Sequence, residues 1–275
     1  MEFSIPWPNV KSEFKSIFIF ELCELRSFII GNKILNIMIF SKNGPIRSFK
    51  RKIRDRLRFR GSPEEIFTQI YNQNMWGSKE SLSGPGSEFQ STKNLRRALP
   101  GLVNDYKVKR LLDVPCGDFN WMKHVLSELD VEYIGGDIVR SLVEQNQRNW
   151  GGVGVSFSQI DLTCDPLPSV DMMLVRDCLF HLSYGAIYSF LQNFCRSDIR
   201  FLLTTTHMPP TGKNAESMIG GYGYIYLFSP PFSFPNDPLE YVDEDNHNTT
   251  KRSLMLFDSD QVQVARDNMK QNLGI

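Results

Sequence analysis

From residue 110 onward, short apolar runs alternate with longer stretches in which apolar residues recur at helical spacing. Short apolar runs bounded by turn residues are typical of buried strands, and helical spacing between them is typical of crossover helices. The predicted strands are Leu111–Val114, Tyr133–Gly136, Val155–Ile160, Met172–Val175, Phe201–Thr206 and Ser253–Phe257. The predicted intervening helices are Trp121–Glu128, Ser141–Arg148 and Tyr184–Phe194. This alternation predicts an α/β fold, with a mostly parallel sheet and helices on both faces.

The chain upstream of this part has a different pattern. Helices are predicted at Glu64–Tyr71 and at Thr92–Leu99, the second one ending at Pro100. Arg47–Arg60 is strongly basic, and its apolar residues recur at helical spacing, which predicts a basic amphipathic helix. Such a helix either contacts an anionic membrane or RNA, or packs on the domain as a solvated helix.

The first forty residues include an apolar stretch, Ser16–Phe40, that charged residues interrupt. A membrane span needs about 20 consecutive apolar residues, so we expect no transmembrane segment. A signal peptide fits poorly, because acidic residues lie within the apolar run. We therefore divide the chain into a helical, partly basic N-terminal extension, residues 1–61, and a main domain, residues 62–275.

Polar residues follow every strand of the alternating part. The first strand contributes Asp113 near its end, with Gly117 and Asp118 after it, and Asp137 follows the second strand. Asp161 and Thr163 follow the third strand, Arg176, Asp177 and His181 follow the fourth, and Thr204 to His207 lie in and after the fifth. Each acid alone could cap a turn or a helix. Because the carboxyl ends of parallel strands meet at one edge of a sheet, we expect these side chains to form one ligand site.

The turn within Leu111–Trp121 indicates which ligand that site takes. Gly117 allows close approach of the backbone to a ligand, and Asp137 follows where a strand-end acid grips two ribose hydroxyls. The chain has neither the phosphate-binding G-x-x-x-x-G-K-[ST] run nor the dinucleotide G-x-G-x-x-G fingerprint. Asp113 and Asp118 would repel a pyrophosphate but suit a ligand with an amino group and a sulfonium charge. The predicted cofactor is S-adenosyl-L-methionine rather than NAD.

The amino-acid composition limits the classes of protein to which this chain can belong. The apolar content of 41%, the charged content of 23% and the formal net charge of zero are ordinary for a globular protein, with no global case for nucleic acid or membrane binding. The five cysteines form no C-x-x-C pair, so we expect no zinc site and no disulfide framework. Reduced thiols in a cytoplasmic protein are the simplest interpretation.

Several motifs together resemble those of a known family. They are DVPCGDFNWM from Asp113, YIGGDIV from Tyr133, DLTCDPLP from Asp161, RDCLFHLS from Arg176 and LLTTT from Leu202. This series resembles a class I S-adenosylmethionine-dependent methyltransferase. It is more narrowly similar to a family with D-x-P-C-G-D-F-N-W-M and R-D-x-L-x-H-L motifs, which also matches Trp76-Gly77, Ser83–Ser87, Pro230–Pro235 and Lys251–Leu254. The resemblance covers roughly Ser62 to Phe257.

The resemblance implies a Rossmann-like, seven-stranded sheet and a set of cofactor-binding residues. The first turn would hold the methionine part, Asp137 the ribose, and Asp161 with Leu162 the adenine. The full expected set is Asp113, Pro115, Gly117, Asp118, Asp137, Ile138, Asp161, Leu162 and Arg176. Two departures stand out: Pro115 and Asn120 replace glycines of the usual turn, and Gly221–Phe228 lacks the Trp-Arg pair of the family's G-x-W-R-x-L-N-L segment.

The expected catalytic residues are His181 and Asp177. Imidazole titrates near neutral pH, so His181 is the candidate base for an oxygen acceptor, although it could instead be a helix-packing residue. Asp177 would orient the imidazole, hold the acceptor, or share a divalent cation with Asp161. His207, beside Pro209 and Pro210, is expected to be a loop residue.

The leading hypothesis is O-methylation of a small molecule or a glycan. A protein or RNA methyltransferase that docks through Arg47–Arg60 is the first alternative, and an inactive S-adenosylmethionine-binding module is the second. An NAD-dependent oxidoreductase is disfavoured by Pro115 and by the acids around the turn.

Overall fold

The computed structural model describes residues 60–208, 213–244 and 251–275. The predicted extension up to residue 59, including nearly all of the predicted basic helix, lies outside the described residues.

The described residues form a seven-stranded sheet with the strand order β3-β2-β1-β4-β5-β7-β6. The strands are β1 (Arg110–Asp113), β2 (Glu132–Asp137), β3 (Val155–Gln159), β4 (Met172–Val175), β5 (Phe201–His207), β6 (Glu240–Glu244) and β7 (Arg252–Asp258). Strands β1 to β5 are parallel, whereas β7 runs antiparallel to both β5 and β6. The predicted seven-stranded, mostly parallel α/β sheet is confirmed. Its order reverses between β1 and β4, where sheets of this kind open a crevice for ligands.

Five α-helices of the described part cover the sheet. They are α1 (Pro63–Asn72), α2 (Lys93–Asp105), α3 (Arg140–Trp150), α4 (Tyr184–Phe194) and α5 (Ser259–Leu273). Alternate strand residues point to opposite faces, so Leu112 and Met173 join the apolar layer under α4 and α5. Leu111 and Met172 join the layer under α2 and α3. Helices therefore lie on both faces, as predicted.

Some predicted boundaries were wrong. Trp121–Glu128 is not an α-helix but two short 3₁₀ turns, Met122–His124 and Leu126–Glu128, closed by bonds between residues three apart. The apolar spacing that suggested a helix is satisfied by these turns, because Met122 and Val125 still reach the core.

Helix α2 does not stop before Pro100 but contains it and continues to Asp105. An interior proline costs a helix about 3 kcal/mol. Leu102 and Val103, which lie beyond it, are buried in the layer under α2, and burying two such side chains stabilises by about 3–6 kcal/mol. Packing of the last turn therefore outweighs the local penalty.

The region after His207 holds two elements that the pattern did not indicate, β6 and α5. Strand β6 is an edge strand of mainly charged residues, EYVDE, with little apolar alternation. His207 itself is not a loop residue: it is the last residue of β5 and is fully buried. In the described residues, no helix is long and apolar enough to cross a membrane.

Candidate active site

A deep cavity opens at the carboxyl ends of β1, β2 and β4, where the strand order reverses. It encloses about 1110 Å³ of space between atoms, including its open mouth. Ten of the eleven predicted site residues line it: Asp113, Pro115, Gly117, Asp137, Ile138, Asp161, Leu162, Arg176, Asp177 and His181. Helix α1 and Trp76 form part of the opposite wall. The fold thus gathers residues that lie up to 68 positions apart, from Asp113 to His181.

Asp137 is built into the turn that contains Gly117. Its carboxylate accepts hydrogen bonds from the backbone N–H groups of Gly117 (3.1 Å) and Val139 (2.9 Å). Gly117 has φ +56°, a conformation that favours glycine, and an added Cβ would meet Ser83. Burial raises the pKa of Asp137 to about 6, although these backbone bonds oppose the rise.

Asp113, at the end of β1, lies beside Asp137 in the same cavity. The Tyr133 hydroxyl donates to its Oδ2 at 2.8 Å. Burial raises the pKa of Asp113 to about 7, against the opposing effects of Tyr133 and Arg176. A cation placed between them would therefore stabilise the ionised form of both carboxyl groups.

Asp118 is the predicted site residue that does not line the cavity. Its carboxylate accepts hydrogen bonds from the Ser81 hydroxyl (2.9 Å), the Leu82 N–H (2.7 Å) and the Ser83 hydroxyl (3.2 Å). Asp118 thus anchors the segment Ser81–Ser87, which we call the strap, over the glycine turn. Leu82, Ser83 and Ser87 of the strap line the cavity.

Asp161 and Leu162 follow β3 and line one end of the cavity, where Leu162 is part of an apolar wall and Asp161 lies at the rim. Asp161 Oδ1 accepts hydrogen bonds from the Thr163 N–H (2.8 Å) and from the Thr163 hydroxyl (2.6 Å), and these bonds stabilise a turn. Asp161 also lines the cavity. Leu162 is buried beside Ile138 and Ile160 in the cavity wall. An apolar slot with a carboxylate at its rim suits a planar base that carries an amino group.

Arg176 and Asp177 directly follow β4 and belong to a buried ionic cluster. Arg176 donates from Nε to Glu244 Oε1 at 2.7 Å, and its Nη1 lies 3.6 Å from Asp177 Oδ2. Asp177 has φ +51°, an unusual value for a residue other than glycine, and such outliers concentrate at functional sites. Burial would raise the pKa of Asp177, but Arg176 and Arg252 hold it below its usual range.

His181 lies on the cavity wall in a defined orientation. Its Nδ1 is 2.5 Å from the Gly221 carbonyl oxygen, so Nδ1 carries the proton and Nε2 has the lone pair. Burial lowers its pKa below 6.5, which keeps the ring neutral at neutral pH. The Trp76 ring lies against it, with centroids 5.3 Å apart. The segment in which the family's Trp-Arg pair is missing therefore supplies the carbonyl that orients this histidine.

Four residues that contribute to this site were not in the predicted set of site residues. Ser81 and Ser83 bind Asp118, and their serine-rich surroundings were noted only as part of the resemblance. Glu244 could not be found because β6 has no strand pattern, whereas Arg252, next to the predicted strand Ser253–Phe257, was a visible but unused signal. Within residues 60–208, 213–244 and 251–275, no three His, Cys, Asp or Glu side chains gather as a metal site.

The cavity is acidic. Asp113, Asp137, Asp161 and Asp177 line it, while the one arginine of its described lining, Arg176, is paired with Glu244. Such a lining favours a ligand that carries positive charge.

No sequence-family model matches this chain, and no curated protein matches it. Solved structures are similar in fold. A SAM-dependent methyltransferase from Leishmania major is similar with a TM-score of 0.53 and 12% identity, over 73% of this chain and 88% of that one. The N-methyltransferase NodS from Bradyrhizobium japonicum, in complex with S-adenosyl-L-homocysteine, is similar with a TM-score of 0.51 and 11% identity, over 70% of this chain and 97% of that one. The chain therefore has the Rossmann-like fold of SAM-dependent methyltransferases.

Proposed function

We propose that this protein is an S-adenosyl-L-methionine-dependent methyltransferase that methylates an oxygen of a small molecule or a glycan. The observation that carries the proposal is the convergence of Asp113, Asp137, Asp161 and His181 on one acidic cavity at the carboxyl edge of this sheet. The fold alone would support many activities, so the chemistry of the cavity carries the argument.

The residues of the cavity fit the cofactor part by part. Asp113 and the Gly117 turn would hold the amino-acid end, and Asp137 would accept hydrogen bonds from the ribose hydroxyls. The slot at Asp161 and Leu162 would take the adenine, with Ile138 in its wall. When bound, the cofactor supplies an electrophilic methyl group on a sulfonium. The acidic lining complements that positive charge, and Asp177 remains ionised beside it.

His181 would remove the proton of an acceptor hydroxyl. Its neutral ring has Nδ1 committed to the Gly221 carbonyl, which leaves Nε2 as the proton acceptor. General-base assistance of this kind contributes typically about 10²–10⁴-fold to a rate. Positioning of the acceptor in the part of the cavity beside Trp76 and His181 supplies the rest of the rate enhancement.

The proposal is tested with S-adenosylhomocysteine as the probe, in wild type and in the Asp137→Ala variant. Because the change removes charge-assisted hydrogen bonds to two hydroxyls, we expect binding to weaken by about 100-fold or more. Calorimetric titration measures the affinity, and the unliganded melting temperature of each variant checks its folding.

Asp130→Ala is the matched control, since Asp130 is an exposed acid that pairs with Lys109 at the surface. It should bind the probe as wild type does. Binding of NAD with no binding of S-adenosylhomocysteine would overturn the proposal. Binding without any methyl transfer to a panel of hydroxylated acceptors would instead favour the inactive binding module.

A further inference from the structure

A buried charge cluster connects Glu244, which was not in the predicted set, to Arg176 and Asp177 of the cavity wall. Glu244 is the final residue of β6, and its side chain has no solvent-accessible surface. Its Oε1 accepts from Arg176 Nε at 2.7 Å, while its Oε2 is buried and has no hydrogen-bond partner among the described residues. A carboxylate buried this completely requires its cation, because an unpaired buried charge is strongly unfavourable.

The same Arg176 side chain also contacts two parts of the cavity wall. Its Nη2 donates to the Gly86 carbonyl of the strap at 2.8 Å, and its Nη1 lies 3.6 Å from Asp177 Oδ2. The guanidinium is planar and rigid, so fixing Nε on Glu244 fixes the direction of both other nitrogens. One side chain thus contacts both the end of the strap and Asp177.

Besides the hydrogen bond from Asn120 Nδ2 to the Ser87 carbonyl (3.1 Å), the strap has one anchor at its start and one near its end. At its start, Asp118 accepts hydrogen bonds from Ser81 and Ser83. At its end, Gly86 packs directly on the Asp177 carboxylate, because a Cβ added to Gly86 would collide with Asp177 Oδ2. Loss of the second anchor would leave the Gly86 carbonyl without its hydrogen bond to Arg176.

We propose that Glu244 is a positioning residue that, through Arg176, holds the strap closed over the cavity and keeps Asp177 in place. It does not line the cavity, and it acts from the edge strand β6. The part of this inference that concerns ligand retention rests on the proposed function, whereas the part that concerns the strap does not.

The test compares full-length wild type, Glu244→Gln and Glu240→Gln. Glu244→Gln keeps the shape and removes the charge, and Glu240, an exposed acid at the other end of β6, is the matched control. Hydrogen–deuterium exchange is followed at the Gly84 and Ser87 amides, which are bonded within the strap at 3.0 Å each. Loss of a charge-assisted bond should speed their exchange by at least about tenfold in Glu244→Gln only.

Exchange of the α5 amides separates positioning from general damage. A purely structural role would speed exchange in α5 and in the strap alike, whereas positioning leaves α5 unchanged. If the strap exchanges at the wild-type rate in Glu244→Gln, the inference is wrong. Should that variant not fold, Glu244→Asp, which keeps the charge but withdraws it by one methylene group, gives the same comparison.

Dissociation of S-adenosylhomocysteine provides the second readout. We expect it to be about tenfold faster from Glu244→Gln than from wild type or Glu240→Gln, in line with the lost hydrogen bond. A wild-type protein that does not bind this probe would refute the proposed function, and the exchange data would still decide the role of Glu244. An unchanged dissociation rate of the probe, together with faster amide exchange in the strap, would refute only the part of the proposal that concerns ligand retention.

Discussion

Burial and pairing divide the acidic residues of the cavity into two kinds. Asp113 and Asp137 are buried with few countercharges, and burial raises their pKa values to about 7 and about 6. Asp177 is also buried, but Arg176 and Arg252 hold its pKa below the usual range. At neutral pH the cavity therefore combines one firmly ionised acid with two that a bound cation would deprotonate further.

The raised pKa of Asp113 has a measurable effect on stability. In the unfolded chain this carboxyl ionises near 3.8, and in the folded protein near 7. Between these two pH values the folded state holds a proton that the unfolded state has released. The stability that Asp113 contributes is therefore fully present below the unfolded-state pKa and is lost as pH rises through the folded-state pKa. We expect the melting temperature of Asp113→Asn to fall less than that of wild type between about pH 5 and about pH 8.

Thermal unfolding of the unliganded protein across this range measures the effect. The Asp130→Asn variant, which changes an exposed acid, should follow the wild-type pH dependence. Parallel curves for wild type and Asp113→Asn would contradict the burial argument for Asp113.

At the scale of elements, the local sequence pattern was enough to predict some strands and helices, whereas others depend on tertiary packing. The strands β1, β2, β4, β5 and β7 were predictable because each contains a short apolar run that is largely buried. Strand β3, at the sheet edge, buries Phe157 alone of its residues. Strand β6 was not, since its charged residues become a strand only by pairing with β7. The continuation of α2 past Pro100 depended on the burial of Leu102 and Val103, which a local pattern does not contain.

The candidate site follows the same division. Its strand-end acids could be read from the sequence, because parallel strands bring their carboxyl ends together. The turn of Asp118 toward the strap could not be read, since it depends on Ser81 and Ser83, more than thirty positions away. The same holds for Glu244, which reaches Arg176 across 68 positions.

Helix α5, which the pattern did not indicate, begins with a capping box. Asp258 accepts from the Gln261 N–H at 2.8 Å, and the Gln261 side chain accepts from the Asp258 N–H at 3.1 Å. Replacing such a cap with alanine costs about 0.5–2 kcal/mol. We expect Asp258→Ala to lower the melting temperature by roughly 2–4 °C.

Calorimetric or fluorescence melting measures this change. Gln263→Ala, an exposed position on the same helix, should melt at the wild-type temperature. If the two variants melted together, the box would have no role in holding α5 on the sheet.

At the scale of the whole molecule, the sheet and both apolar layers that the described residues form lie entirely beyond residue 60. We therefore expect a chain lacking residues 1–59 to fold, to melt at the wild-type temperature and to bind S-adenosylhomocysteine with unchanged affinity. Melting and calorimetric titration of the shortened chain check this. Under the small-molecule hypothesis, turnover also stays the same.

The same deletion addresses the alternative in which Arg47–Arg60 docks a protein or an RNA. Loss of methylation of a macromolecular acceptor, with intact probe binding, would favour that alternative. Loss of probe binding would show that the cavity requires residues before 60.

The surplus of carboxylates around the cavity has a consequence for turnover. Under the proposed function the ligand enters as a cation at sulfur and leaves, after methyl transfer, with a neutral thioether. The lining acids attract the first form more than the second, because charge complementarity acts only on the charged sulfur. S-adenosylmethionine and S-adenosylhomocysteine are nearly the same in shape, but the acidic lining favours the first because of its positive charge. Methyl transfer therefore lowers the affinity of the cavity for the product and favours its release.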